Sequence, residues 1–317
     1  MIVTLTANPS LDRTLGLAAA LRPGAVQAAT DSREDAGGKG INVARALAAA
    51  GAEVVAVLPL AADDPFDAAL QATGIQARRV PVRGHVRANL AITDPAGVTT
   101  KLNLPGLTLS GSEAAAVIET VVDACAGALW LVLAGSLPLG VADDFYVDVI
   151  EAVRAAHGTD APRFAVDTSG AALAAVVARG EADLIKPNDE ELAELARTKL
   201  PTGDLAHGVA AVASTIVPSR VRTALVTLGS RGAVLVSADG SWAVSSPVIE
   251  AVSTVGAGDS SLAGYLLADV TGSGPEGRLR NAVRYGAAAA SLPGTQAPSP
   301  ADLPTADVFV TPLSSTP

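Results

Sequence analysis

Several short segments of this chain combine glycines with one charged or amide side chain, a pairing suited to handling anions. In Ser253-Thr254-Val255-Gly256-Ala257-Gly258-Asp259-Ser260-Ser261 the glycines stand just before an apolar run, Leu262–Val270. Glycines in a first helical turn leave backbone N–H groups uncovered and the helix dipole adds positive potential, which makes a seat for an anion. A carboxylate there repels the anion unless it serves a reaction, for example by accepting the proton of a hydroxyl that attacks a phosphoryl group. An Asp N-cap over a tight glycine loop would use the same residues, so both readings of Asp259 stand. A second glycine cluster, Ala36-Gly37-Gly38-Lys39-Gly40-Ile41-Asn42, also opens a helix. It lacks the Gly-x-x-x-x-Gly-Lys-Ser/Thr spacing of a P-loop. Lys39 can still supply a point charge for a phosphate, and Asn42 can donate to or accept from a sugar hydroxyl. A loop that needs only flexibility is the alternative.

In Ile185-Lys186-Pro187-Asn188-Asp189-Glu190-Glu191, Asn188 and Glu191 are three apart and share a helical face. They could bind waters of a magnesium ion, or they could be a capping box. Val226-Thr227-Leu228-Gly229-Ser230-Arg231-Gly232 is a strand entering a glycine turn, which suits a nucleotide phosphate near backbone or a hairpin. Asn8-Pro9-Ser10-Leu11-Asp12 ends the first strand, where Asp12 could hold two sugar hydroxyls or simply bond its own turn. His85, His157 and His207 are scattered, with no metal-ligand spacing and no Gly-x-Ser-x-Gly elbow, so histidine-based hydrolysis has no support.

The elements that must position these residues alternate along the chain. Ile2–Thr6, Glu53–Leu58, Ala128–Ala134, Arg163–Asp167, Asp183–Ile185, Ala224–Thr227 and Ala233–Val236 read as strands. Ile41–Ala50, Ala114–Cys125, Phe145–His157, Ala171–Ala178, Asp189–Arg197, Leu205–Ile216, Ser260–Val270 and Asn281–Ser291 read as helices. Repeated βαβ order predicts a three-layer, Rossmann-like α/β fold, a mainly parallel sheet with helices on both faces. Thr14–Ala36 and Val80–Leu104 break the rhythm with half-polar alternation and the turn Asp94-Pro95-Ala96-Gly97. They could pair as a small β lid over a cleft, or be two idle edge hairpins.

Composition fits such a domain and removes other classes. At 49% hydrophobic and 17% charged over 317 residues, the chain has ample core and is not disordered. The net charge is −10 and no basic run exceeds Arg78-Arg79, so a nucleic-acid partner is not expected. Mean hydropathy is +0.38, yet the best apolar stretch, Ala128–Leu139, is about half of what a spanning helix needs and holds Gly135, Ser136 and Pro138, so no membrane partner is expected. Cys125 is the sole cysteine, which excludes an internal disulfide or cysteine cluster. The start, Met-Ile-Val-Thr-Leu-Thr, is unlike a signal peptide, so the cytoplasm is the expected compartment. The domain is expected over residues 1–303, with a tail from Pro304 to Pro317, rich in Pro, Ser and Thr, that frays.

Taken in order, Asn8–Asp12, Gly37–Asn42, Gly135-Ser136-Leu137-Pro138, Lys186–Glu191, Val226–Gly232 and Thr254–Asp259 resemble the PfkB (ribokinase-like) carbohydrate kinases, from residue 1 to about 300. The resemblance implies transfer of the ATP γ-phosphoryl group to a sugar hydroxyl with magnesium. It implies that Gly256, Ala257 and Gly258 form the anion hole, that Asp259 is the base, and that Asn188 and Glu191 organise Mg2+ through water. Lys186, Asn188, Thr227, Gly229 and Gly232 would lie along the nucleotide. Asp12, Gly38, Lys39, Asn42, Arg87, Asn89 and Ser136 would bind substrate, Lys39 and Arg87 taking its phosphate. The opening Thr-x-Asn-Pro-x-x-Asp resembles the branch acting on hexoses that already carry a phosphate. Gly24-Ala25-Val26-Gln27 lacks the basic residues that a 6-phosphate reader of that branch places there. Fructose 1-phosphate is therefore the expected acceptor, giving fructose 1,6-bisphosphate. Tagatose 6-phosphate, fructose 6-phosphate and a non-catalytic sugar-phosphate-binding regulator are the alternatives. Leu139 and Val86 depart from the family pattern, at a position usually small or proline and at one usually threonine. A homodimer through the lid is expected as well.

Overall fold

The computed structural model describes residues 1–179, 182–201 and 203–313. Its strands are β1 (Ile2–Leu5), β2 (Ser10–Leu17), β3 (Ala29–Gly37), β4 (Val54–Leu60), β5 (Gln76–Pro81), β6 (Arg87–Thr93), β7 (Thr99–Asn103), β8 (Trp130–Ala134), β9 (Arg163–Asp167), β10 (Leu184–Ile185), β11 (Thr223–Thr227), β12 (Ala233–Ser237), β13 (Gly240–Val244) and β14 (Val310–Leu313). Its α-helices are α1 (Lys39–Ala49), α2 (Phe66–Ala72), α3 (Gly111–Ala124), α4 (Phe145–His157), α5 (Gly170–Arg179), α6 (Asp189–Leu195), α7 (Leu205–Ala213), α8 (Ala257–Val270) and α9 (Pro275–Ala290).

The main sheet has ten strands in the order β14-β13-β12-β11-β10-β9-β8-β1-β4-β5. Neighbours from β11 through β5 are all parallel, and β12, β13 and β14 extend one edge antiparallel. Alternation along each strand feeds two cores. Val3, Leu5, Leu131, Leu133, Phe164 and Val166 pack under α3, α4, α5, α6 and α7. Ile2, Trp130, Val132, Ala134 and Ala165 pack on the opposite face with α1, α8 and α9. Strands buried on both faces read as near-continuous apolar runs, which is why these were legible. The chain runs from β1 out to β4 and β5 on one side and returns through β6, β7 and α3 to β8 on the other, so the carboxyl ends of β1, β8 and β9 open onto a topological switch point.

The second sheet has four strands in the order β3-β2-β6-β7, and it joins the two irregular segments into one lid. β2 and β6 run parallel with Asp12 opposite Asn89, and β3 and β7 flank them antiparallel. Period-2 alternation gives the lid two unlike faces. Asp12, Thr14, Asn89, Ala91, Lys101 and Asn103 share the inner one. Leu11, Leu15, Leu90, Ile92 and Leu102 share the outer one, where Leu11 is buried with Phe66 and Leu70 of α2 while Leu102 remains 51% exposed.

Three expectations are corrected. The lid starts at Ser10, not Thr14. Val80 is not part of it: β5 pairs with β4 in the main sheet, with Val80 opposite Pro59 and buried in the core. The expected fraying from Pro304 does not extend over Val310–Leu313, which pair with β13 as the edge strand β14; an edge tolerates Pro312 because its N–H side needs no partner. Ser314–Pro317 of that expected tail lie outside the described residues.

Candidate active site

Three helix N-termini, those of α1, α6 and α8, and several strand ends meet at the switch point around a cavity of about 370 Å3. Asp12, Gly38, Lys39, Asn42, Arg87, Asn89, Lys186, Asn188, Glu191, Thr227, Gly256, Gly258 and Asp259 all line it. Residues spread over most of the chain are thereby brought to one place. A larger cavity, about 590 Å3, opens beside α1, α8 and α9 around Arg280 and Arg284, and none of the sequence-derived site residues lines it.

Asp259 sits in the first turn of α8, which Gly256 enters at φ 79, a left-handed conformation natural to glycine. Ala257 N–H donates back to Thr254 O at 3.4 Å, while Gly256, Gly258 and Asp259 line the cavity at a helix start, where N–H groups have no preceding turn to bond. Asp259 makes no cap hydrogen bond; its Oδ2 instead accepts from Asn42 Nδ2 at 2.8 Å. Burial first, and then the Asp167 charge, push the Asp259 carboxyl up to about 6, against the Asn42 hydrogen bond and the Lys186 and Lys39 charges. A carboxyl poised there can accept a proton near neutral pH, which an ordinary N-cap cannot.

The sugar side is a set of polar groups awaiting partners. Asn42 Oδ1, Asn89 Oδ1 and Arg87 Nε are buried and make no hydrogen bond to described protein atoms. Such groups are costly unless something arrives to satisfy them. Asp12 accepts from Ser10 Oγ and from Asn89 Nδ2, each at 2.8 Å. Burial pushes its carboxyl above the usual range, against those hydrogen bonds and the Arg87 charge. A Cβ on Gly37 would stand 2.1 Å from the Asp12 carboxylate, so the glycine leaves the room that side chain occupies. Beyond Asp12 and Asn89 the space continues into a cavity of about 230 Å3 under the lid, lined also by Lys101.

Asn188 and Glu191 do form a capping box: Glu191 N–H donates to Asn188 Oδ1 at 2.7 Å and Asn188 N–H donates to Glu191 Oε2 at 2.9 Å. Both still line the cavity, so capping places them where they could also face metal-bound water. Among the described residues no group of three or more His, Cys, Asp or Glu could hold a metal directly. The donor set therefore fits a hydrated magnesium ion held through water, not a fully protein-ligated one. The cavity also suits a polyphosphate, because a Cβ on Gly258 would fill space 3.3 Å from Lys186 Nζ at the α8 N-terminus.

Some expected residues are not brought into the cavity. Ala257, Ser136, Gly229 and Gly232 do not line it. Ser136 Oγ accepts from Asn8 Nδ2 at 3.1 Å, which ties the end of β1 to the segment after β8. Gly232 is needed for a close backbone approach, since a Cβ there would meet Val244 O at 1.9 Å. The sequence reading missed Lys101 and Asp167. Asp167 is completely buried at the end of β9, with Lys39 Nζ 2.8 Å from one oxygen and Lys186 Nζ 3.0 Å from the other. Its place at a strand's carboxyl end was the one available signal.

Residues 6–302 match the pfkB family carbohydrate kinases. The chain belongs to that family, and it is a sugar kinase, a phosphotransferase. It is 36% identical to a 1-phosphofructokinase of Xanthomonas campestris, over 85% of each chain. It is 32% identical to the ATP-dependent 6-phosphofructokinase isozyme 2 of Escherichia coli, over 93% of this chain and 94% of that one. A tetrameric inhibited form of phosphofructokinase-2 from Escherichia coli superposes with a TM-score of 0.84 at 30% identity, covering 95% of this chain and 96% of the other. Fructose-phosphate kinases are thus its relatives.

Proposed function

We propose that this chain transfers the γ-phosphoryl group of ATP to the 6-hydroxyl of fructose 1-phosphate, giving fructose 1,6-bisphosphate and ADP. The observation that carries the reading is a buried carboxylate, Asp259, at a helix N-terminus, its pKa raised to about 6 beside unsatisfied sugar-facing groups. Asp259 takes the proton of the 6-hydroxyl as that oxygen bonds the γ-phosphorus and the bond to ADP breaks. The amides of Gly256 and Gly258, which line the cavity at the start of α8, hold the phosphoryl oxygens. Asp12, Asn42 and Asn89 take sugar hydroxyls beside Gly38. Arg87 grips the substrate's own phosphate with two parallel hydrogen bonds, and Lys101 lines the space that continues under the lid past Asp12 and Asn89. Lys186, Asn188 and Thr227 run along the nucleotide. Asn188 and Glu191 would hold Mg2+ through its waters, and the ion neutralises phosphate charge when bound. The kinase unit we assign runs from residue 1 through the edge strand β14, to Leu313.

Fructose 1-phosphate is favoured over the 6-phosphates by two observations. Ala25 and Gln27 offer no charge, and the relative quoted at 36% is a 1-phosphofructokinase by name. A second copy of the chain covers the outer lid face in this reading, because Leu15, Leu90, Ile92 and Leu102 share it beside the Arg13–Glu34 ion pair. The phosphofructokinase-2 relative is itself tetrameric in its inhibited form.

ADP release measured with fructose 1-phosphate, fructose 6-phosphate, tagatose 6-phosphate and fructose tests the assignment. Fructose 1-phosphate should give the highest kcat/KM. Arg87→Ala should cost about 2–5 kcal/mol with that substrate and almost nothing with fructose, which never used the contact. A preference for either 6-phosphate would overturn the sugar, and silence with all four would point to a sugar-phosphate-binding regulator.

A further inference from the structure

The best-buried ion cluster of the site centres on a residue to which the reaction above gives no part. Alternation along β9 sends Phe164 and Val166 into one core and Ala165 into the other, and Asp167 closes the strand with 0% exposure. A carboxylate so placed must be paired to remain ionised. Burial alone would raise its pKa, but Lys186 and Lys39 hold it below the ordinary carboxylate range. The two ammonium groups approach its two oxygens separately: Lys39 Nζ donates a hydrogen bond to Oδ1 at 2.8 Å, and Lys186 Nζ stands 3.0 Å from Oδ2 as an ion pair without hydrogen-bond geometry. Lys186 is nearly as buried as Asp167, at 5%, while Lys39 is 36% exposed.

Lysine side chains are flexible and strongly hydrated, and two would not share a buried corner without a carboxylate between them. Both lysines line the cavity and Asp167 does not, so the carboxylate holds the two ammonium groups at the cavity wall. Lys186 Nζ reaches the Gly258 segment of the helix N-terminus. That is the reacting end of the site. Lys39 shares its carboxylate, whereas Arg87, on the lid strand β6, stands with Asp12 at the sugar end.

We propose that Asp167 is a positioning residue that presents Lys39 and Lys186 as a fixed pair of ammonium groups to the phosphoryl group in transfer, so that Lys39 serves the reacting centre and not the substrate's own phosphate. The inference rests on the phosphoryl-transfer reading and revises its sequence-derived role for Lys39. Charge on a phosphoryl group in flight is spread over its equatorial oxygens, and donors already oriented towards it need no rearrangement. Before substrate binds, Lys39, Lys186, Asp167 and Asp259 sum to zero. When Asp259 takes the hydroxyl proton, the cluster becomes positive as the new phosphate ester forms. Asparagine could not replace Asp167, because one carbonyl oxygen cannot separate two ammonium groups.

Two measurements test this. With Lys39→Met, kcat should fall about 10²–10³-fold by the same factor on fructose 1-phosphate and on fructose. A loss confined to fructose 1-phosphate would overturn the proposal by returning Lys39 to the distal phosphate. The second needs no turnover. The Asp259 carboxyl is followed by carbon NMR, its signal assigned by its disappearance in Asp259→Asn. The charged groups facing it are Asp167 from β9, Lys186 after β10 and Lys39 from α1. In the parent it should titrate near 6. Its midpoint should fall in Asp167→Asn, by about one pH unit or more, and rise in Lys39→Met. An unmoved midpoint in both would overturn the proposal, and Lys39→Met alone decides it if Asp167→Asn does not fold. Absence of activity on every sugar would defeat the proposed function and still leave this titration to judge the cluster.

Discussion

Replacing Asp259 by Asn removes the proton acceptor and a buried charge at once, and the two losses have opposite signs. The amide keeps the size of the carboxyl and can still accept from Asn42 Nδ2, which stands 2.8 Å from Asp259 Oδ2. Without a base, kcat should fall by roughly 10²–10⁴ while nucleotide affinity is nearly kept. Stability should move the other way. A carboxyl at about 6 in the folded chain, against an ordinary 3.8, binds its proton more tightly folded than unfolded. The parent therefore loses stability as pH rises through this window, by up to roughly 3 kcal/mol above pH 6–7, and loses none below pH 4. Asp259→Asn should be the more stable protein at pH 8, with the gap closing as pH falls towards 4. Paired denaturant titrations at pH 4.5, 6 and 8 read the gap, and coupled ADP release reads kcat. The acid limb of the parent's kcat/KM should lie near pH 6. A variant within a few-fold of parental kcat, or a stability difference that ignores pH, would refute the argument that Asp259 is a desolvated base.

Two other residues separate readings that the sequence left together. Glu191→Gln can keep the capping bond from the Asn188 N–H, so its melting temperature should hardly move while the magnesium concentration for half-maximal rate rises; Asn188→Ala should lose about 1 kcal/mol of stability as well. An unchanged magnesium curve in both would leave them as caps only. Leu102→Glu, on the outer lid face, should shift sedimentation towards monomer at concentrations where the parent associates, and identical sedimentation would remove the lid as an interface.

What was legible in the sequence was local. The helix Phe145–His157 and the strand Arg163–Asp167 fall on the expected residues because apolar periodicity there has no competitor. The short α2, the strand β13 and the edge strands β5 and β14 were not legible. β5 carries Arg78 and Arg79 outward and β14 carries a proline, features an edge permits and a pattern search rejects. The glycines before Asp259, the cap formed by Asn188 and Glu191 and the run around Lys39 could be found because each is a contiguous motif at a helix start.

From the order of residues alone came the alternation of strands and helices, the helix N-termini built for anions, and the family they belong to. Those follow from backbone preferences within a few residues. Only the tertiary structure decided which carboxylates are buried and which charge answers which. Lys39 and Asp167 are separated by 128 positions, and Asn42 and Asp259 by 217. The affinity of Asp259 for its proton depends on water being excluded and on charges carried by β9, α1 and the segment after β10, none of them its neighbours in the chain. Desolvation and Coulomb interaction act through space, so a motif can nominate a carboxylate while only the fold can set its proton affinity.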